Sequence, residues 1–434
     1  MNVAELAKQA KEASFVLAAL PAETRNRALL EMARTLRART ADILQANEQD
    51  LQAAQLEVAA GWMKPALFER LKLTAEKLET TIRGMEELIT LPDTVGRILD
   101  ETELDSGLIL QKISCPIGVL GIIFEARPDV VPQISALAVK SGNAALLKGG
   151  KEALHTNTIL MQTIQQALTA VPGHPAGALA LLHTREDAAQ MLTQDAFIDL
   201  LIPRGGNSLL AYVKANTRIP VLGHADGVCH IYVARTADVY MAQELCIDAK
   251  TQYPSACNAV ETLLIDRRWP EENGRALLTA LRQAGVELYG DEAVAALAPV
   301  QGPVTDFHTE YGEKKLSVKL VDGVDEAILH INQYGSHHTD AIISADKEEA
   351  EQFMKRVDSA GVYHNASTRF ADGYRYGFGA EVGISTSKVH ARGPVGLEGL
   401  ASYKYKLRGH GHKVAEYVGP NARPFTHKKR GGNE

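Results

Sequence analysis

The run Pro116-Ile117-Gly118-Val119-Leu120-Gly121-Ile122-Ile123-Phe124-Glu125-Ala126-Arg127-Pro128 is apolar from Ile117 to Phe124, interrupted only by glycine, and then turns polar at once. A short apolar run of this kind, broken by Gly118 and Gly121, reads as a strand. A helix is expected next, from about Val130 to Lys140, then the short strand Ala144 to Leu147. The pattern repeats with a helix from Glu152, a strand near Ala178 to Leu182 and a helix from Arg185. The strand Ile198 to Ile202 follows, before Gly205-Gly206 and a further helix. Short apolar strands alternating with helices predict parallel βαβ units and a doubly wound α/β sheet. Ligands of such a sheet sit at the carboxyl ends of its strands, on helix N-termini.

Outward from this core, the first hundred residues read as helices. Leu6, Ala10, Ala13 and Leu17 fall at helical spacing, as do Leu29, Met32, Ala33 and Leu36, and Pro21 suits the first turn of a second helix. The second half repeats the α/β style, with strands over Ala259 to Ile265, Leu316 to Val321 and Ala341 to Ser344. Helices are expected over Val239 to Ala249, Pro270 to Ala284, Val324 to Gln333 and Lys347 to Asp358. The glycine-rich C-terminal third interleaves Tyr374, Tyr376 and Phe378 with its glycines, so it reads as an ordered loop near a site.

A chain of 434 residues is too long for one ordinary core, so two or more domains are expected. With 45% hydrophobic and 23% charged residues it has the balance of a soluble enzyme, and a net charge of −7 argues against nucleic-acid binding. The basic end Lys428-Lys429-Arg430 is expected to be solvated and mobile. Cys115, Cys229, Cys246 and Cys257 form no disulfide framework, which suggests a reducing compartment. Met1 to Leu20 lacks the continuous apolar segment of a signal peptide, and no run is long enough to span a bilayer. A cytoplasmic protein without a membrane partner is expected.

Four segments carry chemistry. Cys257 lies in Thr251-Gln252-Tyr253-Pro254-Ser255-Ala256-Cys257-Asn258, among small side chains, with no Cys or His at a zinc-type spacing. A lone thiol on a tight turn fits a nucleophile, which needs access and an electropositive backbone to become a thiolate. Glu125-Ala126-Arg127-Pro128 puts polar groups at the ligand edge of its strand. Lys148-Gly149-Gly150-Lys151 ends a strand and opens a helix, offering two ammonium groups and a helix N-terminus to an anion. Pro203-Arg204-Gly205-Gly206-Asn207-Ser208 is again strand, glycine turn and helix, a shape that can hold a diphosphate. The ordinary dinucleotide fingerprint, with three spaced glycines, is absent.

In this order the segments resemble the aldehyde dehydrogenase superfamily, with its Pro-x-Gly-Val strand, Gly-Asn-x-x-x-x-Lys, glycine turn and nucleophilic Cys. The closer resemblance is to the glutamate-5-semialdehyde dehydrogenase family, also called γ-glutamyl phosphate reductase. It is carried by Phe-Glu-Ala-Arg-Pro (124–128), Lys-Gly-Gly-Lys-Glu-Ala (148–153), Pro-Arg-Gly-Gly (203–206), Gly-His-Ala-Asp-Gly (223–227), Gln-Tyr-Pro-Ser-Ala-Cys-Asn (252–258) and His-Ala-Arg-Gly-Pro-Val-Gly-Leu-Glu-Gly-Leu (390–400). The resemblance runs to about Tyr403 and leaves Pro420 to Glu434 outside it. It implies an aldehyde dehydrogenase-like α/β fold with two doubly wound parallel-sheet domains and a small oligomerisation arm. The nucleotide-binding domain would be 1–99 with 116–235, the catalytic domain 236–395 and the arm 100–115 with 396–420, leaving 421–434 as a flexible tail. The implied activity is NADPH-dependent reduction of L-glutamate 5-phosphate to L-glutamate 5-semialdehyde and phosphate, in L-proline biosynthesis. A homo-oligomer is expected, and because acyl phosphates hydrolyse readily, glutamate 5-kinase is a candidate partner.

The same resemblance assigns residues. Cys257 would form a thioester, with Arg127 and Asn258 beside it among the catalytic candidates. Arg127 stands near the superfamily's oxyanion Asn; it is open to phosphate, to a substrate carboxylate, or to an ion pair with Glu125 or Asp129. Lys148, Lys151, Gly205, Gly206 and Glu310 would hold the cofactor. Lys151 replaces a Glu that binds ribose hydroxyls in NAD-preferring members and would attract a 2′-phosphate instead. Oxidative members carry Glu-Leu-Gly-Gly upstream of the Cys, where the Glu activates water. Here Val221-Leu222-Gly223-His224-Ala225-Asp226-Gly227 has no Glu, as suits an enzyme whose thioester must not hydrolyse. His224 and Asp226 are each open to proton transfer or to a loop-capping role. The competing reading is a hydrolytic aldehyde dehydrogenase for another small aldehyde.

Overall fold

The structure, a computed structural model, describes residues 2–223 and 226–430. Five helices open the chain, from Val3–Leu17 to Ala75–Thr90. Asn2 and Glu5 form a capping box on the first, and Thr74 accepts from Lys77 N–H on the fifth. Val3, Ala7, Ala10, Ala13 and Leu17 make the buried stripe of Val3–Leu17, which packs on one face of the first sheet against Val119, Ala144 and Leu146. The other face is covered by Ala22–Ala38, Ala75–Thr90, Val130–Lys140 and Leu154–Thr169.

That sheet has four parallel strands in the order Leu179–Leu182, Ala144–Lys148, Val119–Phe124, Leu200–Arg204. The chain steps outward through the first three and then crosses back to the far side of Val119–Phe124. The reversal leaves the carboxyl ends of Val119–Phe124 and Leu200–Arg204 side by side, Phe124 opposite Arg204, which is the crevice where such sheets bind ligands.

The second sheet has six parallel strands in the order Gly361–His364, Thr339–Ile343, Cys229–Val233, Val260–Asp266, Lys315–Val321, Glu287–Tyr289. Apolar clusters cover both of its faces. Because Cys229–Val233 is central to this sheet, the boundary expected after residue 235 falls before Cys229 instead. The end of the expected catalytic domain also departs from the sequence boundary. Ala380, Val382 and Val395 return to the core of the first sheet, so the glycine-rich segment closes over it.

A third, antiparallel sheet is built from Ala401–Arg408, Leu108–Pro116 and Ile98–Asp105, with Lys428–Lys429 as its fourth strand. The chain end is therefore no loose tail up to Arg430. Thr426 N–H donates to Leu104 C=O at 2.8 Å and Arg430 N–H to Glu101 C=O at 2.9 Å. Backbone pairing with Ile98–Asp105 holds this end, and Arg423, Lys429 and Arg430 also face Asp105, Asp100 and Glu103 of that acidic strand. Among the described residues, no helix is long and apolar enough to cross a membrane.

Candidate active site

Cys257 sits where three strands of the second sheet begin. The turn Tyr253–Ala259 follows the helix Val239–Thr251 and leads into Val260–Asp266. Next to it, Gly227 leads into Cys229–Val233; a methyl group at 227 would fall 2.0 Å from the Cys257 carbonyl oxygen. Only glycine permits that approach. The Cys229 thiol donates to the same carbonyl at 3.3 Å. The nucleophile thus lies at the amino edge of its own sheet, and ligand placement at carboxyl ends holds only for the first sheet.

One strand further, His338 precedes Thr339–Ile343. Its Nε2 lies 3.2 Å from Cys257 Sγ and its Nδ1 2.9 Å from Thr339 Oγ1. This buried histidine was not singled out from the sequence. It is separated from Cys257 by 81 positions, in Ser336-His337-His338-Thr339, and only the strand order brings the two together. Burial, then the charges of Glu310 and Glu381, pushes the Cys257 thiol up to about 12, against the pull of Arg369. Arg369 and the Cys257 backbone N–H supply an electropositive contribution, but burial and the two carboxylates outweigh it.

Arg204, the last residue of Leu200–Arg204, was passed over in favour of the glycines after it. Its Nη1 is buried without a hydrogen-bond partner among the described residues, in the field of Arg127, Glu381, Asp129 and Cys257. Arg127 is exposed at the neighbouring strand end, and among the described residues it makes no ion pair with Glu125 or Asp129; Asp129 faces Lys77 at 3.2 Å. Glu381 accepts from Gly373 N–H at 2.9 Å, and burial raises its carboxyl to about 7. Asn258 is buried and donates from Nδ2 to Ala371 C=O at 2.8 Å, a geometry that ties the nucleophile turn to the segment beyond it. Asp226 accepts from Asn207 Nδ2, which favours its loop-capping role, while His224 lies outside the described residues.

The two glycine turns of the first sheet differ. The Leu154–Thr169 helix does not offer its N-terminus to a ligand, as the Lys-Gly-Gly-Lys run suggested. Asp50 already accepts from His155 N–H at 3.1 Å and Thr156 N–H at 2.8 Å. The Asn207–Asn216 helix has Gly206 as its N-cap, no side-chain cap, and open space before that glycine. Among the described residues, no side chain caps its backbone N–H groups, although the Asp226 carboxylate stands beside Asn207. Lys148 is buried, with Nζ turned to Gly149 C=O, and burial lowers its pKa. Lys151 points outward, 73% exposed, 3.3 Å from Glu57. The lysines therefore serve different places. Glu310, whose carboxyl burial raises, stands on a loop held by the buried Lys250–Glu261 pair at 2.7 Å; Glu261 also accepts from Gly312 N–H.

Residues 1–305 match the aldehyde dehydrogenase family. A γ-glutamyl phosphate reductase from Methanococcoides burtonii is 50% identical over 99% of this chain and 97% of its own length. One from Brachyspira hyodysenteriae is 48% identical over 99% of this chain and 100% of its own. The chain belongs to the γ-glutamyl phosphate reductase family. The crystal structure of the γ-glutamyl phosphate reductase from Thermotoga maritima superposes with a TM-score of 0.91 at 37% identity, covering 95% of this chain and all of that one. An engineered glycolyl-CoA reductase with bound NADP+ shares the fold, with a TM-score of 0.64 at 16% identity over 93% of this chain and 96% of that chain. The likeness of this family member to its relatives runs past Tyr403, where the motif resemblance ended.

Proposed function

We propose that this chain reduces L-glutamate 5-phosphate to L-glutamate 5-semialdehyde and phosphate, with NADPH, as a step of L-proline biosynthesis. The observation that carries this is the near-full-length likeness to reductases of that name, with the half-buried Cys257 in the field of Arg204 from the first sheet. Cys257 Sγ attacks the γ-carbonyl, phosphate leaves, and the acyl group is held as a thioester. The Cys257 backbone N–H is the oxyanion donor at that carbonyl. Arg127 and Arg204 present guanidinium groups to the departing phosphate or to the substrate carboxylate.

A bound nicotinamide cofactor supplies the hydride that reduces the thioester. The chain has a fitting cradle for it. Gly205 and Gly206 before the uncapped Asn207–Asn216 helix suit the diphosphate, and Lys148 and Glu310 the riboses. Lys151, outside, suits a 2′-phosphate and hence NADPH. Asn258 positions the Cys257 turn. The outer strand Ala401–Arg408 exposes Tyr403, Tyr405 and Leu407, as a homo-oligomer contact would. A cytoplasmic setting agrees with four free cysteines, and glutamate 5-kinase stays the candidate partner for substrate delivery. The hydrolytic reading is not favoured, since Val221-Leu222-Gly223 and Asp226-Gly227 lack the water-activating Glu.

The test is NADP+ reduction by purified protein with L-glutamate 5-semialdehyde, with and without phosphate, beside NAD+ and simple aldehydes. Turnover is expected with the semialdehyde and phosphate together. No NADP+ reduction under those conditions would overturn the assignment.

A further inference from the structure

The geometry around Cys257 leaves a chemical gap. The half-buried Cys257 thiol, desolvated by its surroundings and in the field of Glu310 and Glu381, holds its proton more tightly than a free thiol. Yet the neutral thiol is a weak nucleophile, so its proton must go somewhere as the bond to carbon forms. Among the described residues, a proton acceptor at hydrogen-bond distance from Sγ is His338, 3.2 Å away. Its ring is oriented by a third group, Thr339 Oγ1, on the opposite nitrogen. In the tautomer whose Nδ1–H donates to Thr339 Oγ1, the lone pair of Nε2 faces the sulfur. Nucleophile, base and orienting group then follow one another at hydrogen-bond distances, the arrangement of an activated nucleophile.

We propose that His338 is a catalytic residue, the general base that takes the Cys257 proton as the thiol attacks. What the thiol attacks rests on the acyl-phosphate reading above; the pairing with Cys257 does not. In the step, the S–H bond breaks and its proton moves to His338 Nε2 while the S–C bond forms. The C–O bond to phosphate breaks and its electron pair leaves on the phosphate oxygen. That oxygen takes the proton from the imidazolium, giving hydrogen phosphate, a Cys257 thioester and neutral His338. When the thioester is reduced, the C–S bond breaks with its electrons on sulfur. Sulfur then takes the one proton that the overall reduction consumes, and the thiol is restored.

Other charged groups face this pair from every side. Glu310 comes from the loop before Lys315–Val321, Glu381 from the glycine-rich segment, Arg369 from the turn Thr368–Phe370, and Arg204 from the first sheet. The buried Cys229 thiol lies behind the Cys257 carbonyl, with Asp340 on the adjoining strand committed to His230. None of these is hydrogen-bonded to Sγ among the described residues; His338 is.

The experiment is peptide-resolved alkylation of Cys257 by iodoacetamide from acid to alkaline pH, in the full chain and in His338→Gln. In the parent, alkylation should rise in a step that follows deprotonation of the His338 imidazole, well before the thiol itself titrates. In His338→Gln that step should vanish, leaving only the rise at alkaline pH. The kcat of His338→Gln should fall about 10²-fold or more, with KM for the cofactor little changed. Added imidazole should restore part of the rate to His338→Ala, which a purely structural hydrogen bond would not allow. A parent profile without the step overturns the proposal even if neither variant folds, and so does His338→Gln with kcat within threefold of the parent. A parent that alkylates with the step but never reduces NADP+ with the semialdehyde would instead sink the function, leaving the Cys257–His338 pair in place.

Discussion

A thiol held near a pKa of about 12 beside two carboxylates is an unpromising nucleophile, and the site makes sense only with its neighbours in view. Cys257→Ser should abolish reduction while leaving the fold intact, because a hydroxyl is a far poorer nucleophile at neutral pH. The expected loss in kcat is at least ~10³, or about 4 kcal/mol of barrier. Turnover near the parent rate in pure variant protein would remove Cys257 from the mechanism. Cys115, Cys229 and Cys246, replaced singly by Ser or Ala, should retain most of the activity. At this scale the sequence was legible for one residue and not for its partners. Cys257 stood out through small neighbours and a long motif. His338 did not, because its role depends on the order of strands Thr339–Ile343, Cys229–Val233 and Val260–Asp266, which the local sequence does not contain. The raised thiol pKa was equally hidden, since it comes first from desolvation by the folded surroundings and then from Glu310 and Glu381, which reach Cys257 from distant segments.

Among the elements, the strand–helix alternation was readable because each buried strand is a short apolar run. What the alternation did not reveal is that one helix N-terminus is already filled by Asp50 from another helix. Lys151 is therefore best tested directly. Lys151→Glu should shift the ratio of kcat/KM for the two cofactors from NADPH towards NADH, through like-charge repulsion of a 2′-phosphate. A ratio that does not move would leave Lys151 as a surface lysine facing Glu57, with Lys148 the next residue to change. The strand Lys428–Lys429 was missed because a run of three basic residues looks solvated when its acidic partner strand, far away in sequence, is not considered. Its ion pairs are mostly exposed and contribute little each. Ending the chain at residue 420 should cost about 1–2 kcal/mol, mainly the two backbone hydrogen bonds to Leu104 and Glu101. Thermal unfolding measures it, and an unchanged midpoint would mean that this strand adds nothing to the arm.

For the whole molecule, the decisive property is what may release the acyl group from sulfur. Run in the oxidative direction, the enzyme should require phosphate. Without it, NADPH formation should stop after roughly one equivalent per active site, a burst with an accumulated Cys257 thioester. Arsenate should substitute, because it attacks the same carbonyl and its product falls apart in water. The two-sheet cleft sharpens this expectation. It lacks the superfamily's water-activating Glu in Val221-Leu222-Gly223 and Asp226-Gly227, yet it holds Glu381 with a carboxyl near 7 in the field of Cys257, and His338 against the sulfur. Either is chemically able to activate a water molecule, so retention of the thioester depends on where water can stand rather than on the absence of every base. Sustained turnover in phosphate-free buffer would mean that water reaches the carbonyl. Glu381→Gln would then test one base: if it restored the phosphate requirement, Glu381 would be the activating group, and if turnover persisted, the base would be His338 or Glu310.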